Sequence, residues 1–126
     1  MSISALNIIS ESLEKLGINY EFGEWTSEIV DHYYVGEYTE VPTLNEDGMQ
    51  ETSFILNGFS RGSLLDLEES KAKIEDHFGK VGGQTAIAED KSAVAIFYSD
   101  SLIIPTGDAV LKRIQINLMI KEWKVK

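Results

Sequence analysis

The stretch Leu111-Lys-Arg-Ile-Gln-Ile-Asn-Leu-Met-Ile-Lys-Glu-Trp-Lys-Val125 decides how this chain folds. Apolar residues occupy every second position of its middle part, from Ile114 to Ile120. This period of two predicts a long β-strand with one face in a core and the other face available for contacts. The side chains on the available face are Arg113, Gln115, Asn117, Met119 and Lys121. We predict that they contribute to a subunit interface, and the alternative is an ordinary solvated strand face.

Charge is unevenly distributed along the chain, whose formal net charge is −10. Residues 1–110 hold six Lys or Arg against twenty Asp or Glu, whereas residues 111–126 hold five Lys or Arg against Glu122 alone. The uneven charge has two interpretations. It can simply keep the protein soluble. It can also let the basic strand of one copy contact the acidic surface of the next, and such head-to-tail contacts close into rings when the rotation permits.

Composition excludes several classes of protein. A length of 126 residues with 43% hydrophobic residues predicts one domain over residues 1–126 with a real core, and the order of helices and strands predicts that it is α+β. Cysteine is absent, which excludes disulfides and thiolate chemistry. No apolar run approaches the ~20 residues that span a bilayer, and no signal peptide is expected. The acidic balance argues against sequence-specific nucleic-acid binding and against anionic membranes.

Periodicity along the chain predicts two helices and about seven strands. Apolar spacings of three and four predict helices over residues 4–16 and 64–78, with Ser63 as the N-cap and Gly79 as the end of the second helix. Strands are predicted over residues 18–25, 28–40, 50–60, 85–88, 93–98 and 102–104, followed by the long final strand. The order helix–strands–helix–strands predicts a mostly antiparallel sheet with both helices packed on one face.

Catalytic motifs are missing from the sequence. His32 and His77 are the only histidines, and neither has partners at the spacing of a metal site or a triad. The glycines at 79, 82 and 83 lack the spacing of a phosphate-binding loop. The 21 Asp and Glu show no spacing that selects an acid–base pair. We therefore expect no enzymatic activity, no catalytic residue, no cofactor and no metal.

A second candidate surface is the acidic connection between the second and third strands. Asn45-Glu-Asp-Gly48 predicts a turn there rather than a calcium loop. Long exposed loops often carry binding functions. The candidate partner-binding residues of this loop are Pro42, Glu46, Asp47 and Met49.

Several segments together resemble a family of phage proteins. They are Tyr34-Val-Gly-Glu-Tyr38, Glu51-Thr-Ser-Phe-Ile-Leu-Asn-Gly-Phe-Ser-Arg-Gly62, Ala95-Ile-Phe-Tyr98, Pro105-Thr-Gly-Asp108, Leu111-Lys-Arg-Ile-Gln-Ile-Asn-Leu118 and Lys121-Glu-Trp-Lys-Val125. With these segments the chain resembles the small tail completion, or tail terminator, proteins of long-tailed phages and prophages of Gram-positive bacteria. The likeness covers most of residues 18–125. Its motifs are structural, so no functional residue is carried over from the family.

The resemblance implies a virion assembly role. A tail terminator closes the tail tube as a homo-oligomeric ring, usually a hexamer, and joins the tube to the head. The implied partners are further copies of the chain, the tail tube protein and the head–tail connector proteins. The implied locations are the cytoplasm of the bacterial host during assembly and then the virion tail. DNA could pass an acidic lumen without binding, since like charges repel.

Three other functions stay open at the level of sequence. A head-closure protein would share the structural role at the head–tail joint. An acidic intracellular binding module would recognise a basic protein or peptide and would stay monomeric. A small hydrolase or isomerase using carboxylates would need a deep pocket with convergent polar groups.

Overall fold

A computed structural model describes residues 1–28, 30–40, 49–79, 84–87 and 93–123 of the chain. The described elements are helices α1 (Ile3–Lys15) and α2 (Leu64–Phe78) and six strands. The strands are β1 (Tyr20–Phe22), β2 (His32–Glu40), β3 (Met49–Ser60), β4 (Gln84–Ile87), β5 (Ala93–Ile104) and β6 (Lys112–Trp123). This confirms the predicted α+β class and its element order.

The six strands form one sheet in the order β1-β2-β3-β6-β5-β4. Only the β1–β2 pair among them is parallel. The final strand β6 lies in the middle of the sheet, between β3 and β5, and each of these three strands is 12 residues long. The stretch with the clearest alternation therefore forms the centre of the fold.

One core lies between the sheet and both helices. Ile114, Ile116, Leu118 and Ile120 of β6 are at most 1% exposed. Burying a side chain of this size contributes about 1.5–3 kcal/mol to folding. The helices cover these residues with fully buried side chains at helical spacing. The helix residues are Ala5, Ile9, Leu13, Leu67, Ile74 and Phe78.

Serine hydroxyls cap the N-terminal ends of both helices. The hydroxyl of Ser2 accepts a hydrogen bond from the N–H of Ala5 at 3.1 Å, and Gly17 adopts the left-handed conformation just after α1. The hydroxyl of Ser63 accepts from the N–H of Leu65 at 3.1 Å at the start of α2. Below the start of α1 lies the buried carboxylate of Glu122, which accepts from the N–H of Ser2 at 3.0 Å. A helix N-terminus favours a negative charge, so this position suits a buried carboxylate.

Several predicted strand boundaries need correction. Residues 93–98 and 102–104 belong to one strand, β5, which contains a register shift between Tyr98 and Asp100. The polar residues at 99–101 resemble a turn in the sequence, but a β-bulge accommodates the extra residue within the strand. The first predicted strand is shorter, since only Tyr20–Phe22 pairs with β2. The predicted turn over residues 45–48 and the end of the final strand at residues 124–125 lie outside the described residues.

Close packing beneath α2 requires a glycine at position 58 of β3. A Cβ atom there would lie 2.5 Å from Tyr34 Cε1 and 2.8 Å from Ile114 Cγ2. Both neighbouring side chains are buried in the core and have no free space to move into.

We predict that Gly58→Ala lowers the free energy of unfolding by roughly 1–3 kcal/mol, because overpacking shifts Tyr34 and Ile114. Urea denaturation followed by circular dichroism measures the effect. Thr39→Ala, at an exposed position of β2, is the control and should change stability by less than about 0.5 kcal/mol. Equal stability of the Gly58→Ala variant and the native chain would contradict the packing described above.

Candidate interaction surface on the open face of the sheet

The five predicted interface residues lie together on the sheet face that points away from the helices. They alternate along β6 with the four buried core residues, and each of the five is partly exposed. We call this side of the sheet the outer face. Because β6 has a hydrogen-bonded strand on each side, its backbone is not free to pair with another chain. Any contact that these five residues make with a partner must therefore use side chains.

An aromatic row crosses the outer face from its β1 side to β6. Trp25 stacks on Tyr33 with ring centroids 4.9 Å apart, and Tyr33 stacks on Phe59 at 5.3 Å. The guanidinium of Arg113 lies over the Phe59 ring, 5.6 Å from its centroid. Each of these four side chains is only partly buried. Stacked rings and a cation over a ring are each stabilising contacts of about 0.5–1.5 kcal/mol.

A polar network runs beside the aromatic row and compensates the charge of Arg113. The Nη2 atom of Arg113 donates to Asn57 Oδ1 at 2.9 Å, and Asn57 Nδ2 donates to Glu37 Oε1 at 3.1 Å. Asn57 is only 8% exposed, so this chain of hydrogen bonds holds Arg113 in one position. Arg113 therefore presents a fixed, partly neutralised guanidinium.

The other predicted interface residues also have partners within the chain. Asn117 donates to Asp100 at 2.7 Å and accepts from Gln115 at 3.0 Å. The ammonium of Lys121 lies 3.9 Å from Glu51 and 5.9 Å from the centroid of the Phe97 ring. Lys121 thus has an acidic neighbour in Glu51, and Arg113 is connected to Glu37 through Asn57. The outer face is a mixed polar and aromatic surface rather than a basic stripe.

Glu21 holds the loop that places Trp25 on this surface. Its carboxylate accepts from the N–H and hydroxyl groups of Thr26 and Ser27 at 2.8–3.2 Å. These hydrogen bonds, with the Thr26 N–H as the largest cause, lower the pKa of Glu21 below its ordinary value. The indole N–H of Trp25 donates to the carbonyl of Glu28 at 3.1 Å. The loop is therefore ordered by its own hydrogen bonds.

The second candidate surface is described only in part. Pro42, Glu46 and Asp47 lie outside the described residues. Met49 is the first residue of β3, where it pairs with Trp123 of β6. Alternation along both strands places this pair on the outer face, at the end remote from the aromatic row.

Sequence reasoning missed the aromatic half of this surface. Trp25, Tyr33 and Phe59 come from three separate segments, and only the strand register brings them together. The sequence did indicate the position of Phe59, because Phe59 follows Ile55 and Asn57 at every second residue of β3 and therefore lies on the same face of the sheet. Between Trp25, Tyr33, Phe59 and Arg113 lies a shallow, largely polar depression of about 520 Å³ on this side of the sheet. Within the described ranges no three His, Asp or Glu side chains converge to hold a metal ion.

Comparison with protein-family models and with curated proteins found no match to this chain. Neither α1 nor α2 is long and apolar enough to cross a membrane, and no other helix is described. The function must therefore be argued from the surface itself.

We predict that acid releases Trp25 from the aromatic row. Because the pKa of Glu21 is lower in the folded than in the unfolded chain, its ionised form stabilises the loop at neutral pH. That contribution is lost as the pH falls through the lowered pKa. The measurement is Trp25 fluorescence against pH in a Trp123→Phe background, which leaves Trp25 as the only tryptophan.

The matched control is Glu21→Gln in the same background. It removes the titrating group, so the acid transition in fluorescence should disappear and the neutral-pH spectrum should already resemble the acid form. An unchanged transition in this variant would show that Glu21 does not hold the loop.

Proposed function

We propose that this chain is a structural subunit of a phage or prophage tail, of the tail terminator kind, that assembles with further copies of itself. The observation that carries the proposal is the outer face, a sheet surface with partly exposed aromatic and apolar side chains. An antiparallel sheet that faces only water alternates between apolar inward and polar outward residues. Exposed apolar surface surrounded by polar groups is typical of protein contact sites.

The composition of the outer face suits contact with protein. It presents Tyr33, Phe59 and Arg113 in the aromatic row and Met119 farther along β6, and these residue types are enriched in protein interfaces. Acidic and amide side chains border them, among them Glu37, Asn57 and Glu51. A partner that covers the aromatic row can leave the exposed carboxylates of Glu37 and Glu51 hydrated at its rim.

The resemblance to tail terminators supports the more specific part of the proposal. A ring, usually of six copies, would cap the tail tube and connect it to the head. Its locations would be the host cytoplasm and then the virion. A net charge of −10 suits a ring through which DNA passes without binding. The same role predicts contacts with the tail tube protein and with connector proteins.

We predict that the Arg113→Glu, Lys121→Glu double variant self-associates more weakly than the native chain at low salt. Each reversal removes a positive charge from the outer face and leaves Glu37 or Glu51 beside a like charge. Screening by salt should reduce the difference between the two proteins. Sedimentation velocity over a range of protein and salt concentrations measures the assembly.

The matched control is Lys71→Glu, Lys73→Glu, which makes the same change in net charge on α2, away from the outer face. Met119→Glu is a second outer-face variant that keeps Arg113 and its network intact. Circular dichroism establishes that all three variants fold. Unchanged assembly in both outer-face variants, or a native chain that stays monomeric at high concentration, would contradict the proposal; the second result favours an acidic binding module.

A further inference from the structure

We propose that neighbouring copies also join edge to edge, with β1 of one copy added antiparallel to β5 of the next. This inference rests on the proposed self-assembly and names a contact that assembly uses in addition to the outer face.

Among the described residues, β4 alone pairs with the outward edge of β5, and it covers only one end of that strand. β4 pairs with residues 93–96 of β5, and no described strand pairs with the same edge over residues 97–104. The bulge at Ser99 distorts the first part of this open edge, but residues 101–104 beyond it keep a regular register with β6. Unpaired backbone groups on a regular edge strand can pair with a strand from another chain.

The strand registers place β1 at the same position along the strand direction as residues 101–104 of β5. Glu21 pairs with Val35, Val35 with Asn57, Asn57 with Gln115, and Gln115 with Leu102. Glu21 and Leu102 therefore lie level with each other on opposite sides of the sheet. β1 runs antiparallel to β5, because it is parallel to β2 and three antiparallel pairings separate β2 from β5.

A second copy placed beside the first in the same orientation thus brings its β1 against residues 101–104 without any shift along the strand direction. The joined sheet keeps its antiparallel pattern there, and the helices of both copies stay on the same side. Such a contact is heterologous, since β1 of one copy meets β5 of the next, and it can repeat around a ring.

Exposed apolar side chains flank both edges on the helix side of the sheet. Phe22 of β1 is 47% exposed, and Ile103 of β5 is 48% exposed. A largely apolar groove of about 570 Å³ lies beside Ile103 and is lined by Leu64 and the connection over residues 104–109. In the edge-to-edge contact Phe22 lies diagonally opposite Ile103, within reach of an aromatic ring.

The charged side chains near the two edges are complementary in part. Lys112, Arg113 and Asp108 line the groove beside β5, and Arg113 already donates a hydrogen bond to Asn57. Lys112 forms no salt bridge with any residue that the structure describes. Glu14 and Glu21 line a recess of about 390 Å³ beside β1, and Glu24 and Glu28 are exposed in the loop that follows. This complementarity favours a second copy of the chain as the occupant and opposes the pairing of two like edges.

Cysteine cross-linking tests the contact directly, because the chain has no cysteine of its own. Glu24 follows β1 and Ser99 lies in the β5 bulge, and both side chains are exposed. Within one copy they lie on opposite edges, four strand spacings or roughly 19 Å apart. A short bismaleimide can therefore join them only between copies.

We expect the Glu24→Cys, Ser99→Cys double variant to give a ladder of dimers and higher oligomers under a short bismaleimide. A mixture of the two single variants should give dimers only, and each single variant alone should give none. Adding Ile103→Lys, which places a charge in the apolar contact, should abolish the ladder. Adding Ile3→Lys, at a position 77% exposed on α1, should leave the ladder unchanged.

The outcomes separate this inference from the proposed function. If sedimentation detects oligomers but cross-linking gives no ladder, the edge contact is overturned and the proposed self-assembly is retained. Cross-linked dimers from Ser99→Cys alone would also overturn it, since they require two like edges to meet. A chain that is monomeric in sedimentation and gives no ladder would overturn both proposals.

Discussion

The burial of one face of β6 is the constraint on which the rest of the structure depends. Four branched aliphatic side chains alternate along this strand and lie in the core at the centre of the sheet. A one-residue slip of the strand would turn all four toward the outer face and bury Arg113 to Lys121 instead. The register of β6 therefore also fixes which side chains the outer face presents. Core and candidate surface are two sides of one strand.

Short-range sequence patterns were sufficient to predict most of the fold. Alternation in β3 and β6 and the apolar spacing of the helices identify these elements, because each pattern reflects burial on one side. Capping by Ser63 was predicted from its position before an apolar stripe. The continuity of β5 was not predicted, since the polar run at 99–101 has the composition of a turn. The amino-acid composition of a bulge in an exposed strand does not distinguish it from a turn.

The candidate surface was predictable only in part, for a related reason. The outward residues of β6 follow from alternation within one segment. Their partners Phe59, Asn57 and Glu51 come from β3, and Asp100 and Phe97 come from β5. Those neighbours depend on long-range register, which a single sequence does not specify. This is why the sequence suggested spare positive charge, whereas the structure gives Arg113 and Lys121 compensating partners.

We propose that the two sides of the sheet have different tasks: the helix side stabilises the fold, and the outer face contacts other subunits. Hydroxyl-radical footprinting tests this assignment most directly, by comparing side-chain oxidation in dilute and concentrated samples of the native chain. We expect Trp25, Tyr33, Phe59 and Met119 to become protected as the concentration rises, while exposed Leu65 on α2 is oxidised at the same rate. Equal oxidation of the outer-face residues in both samples, although sedimentation shows assembly, would contradict it.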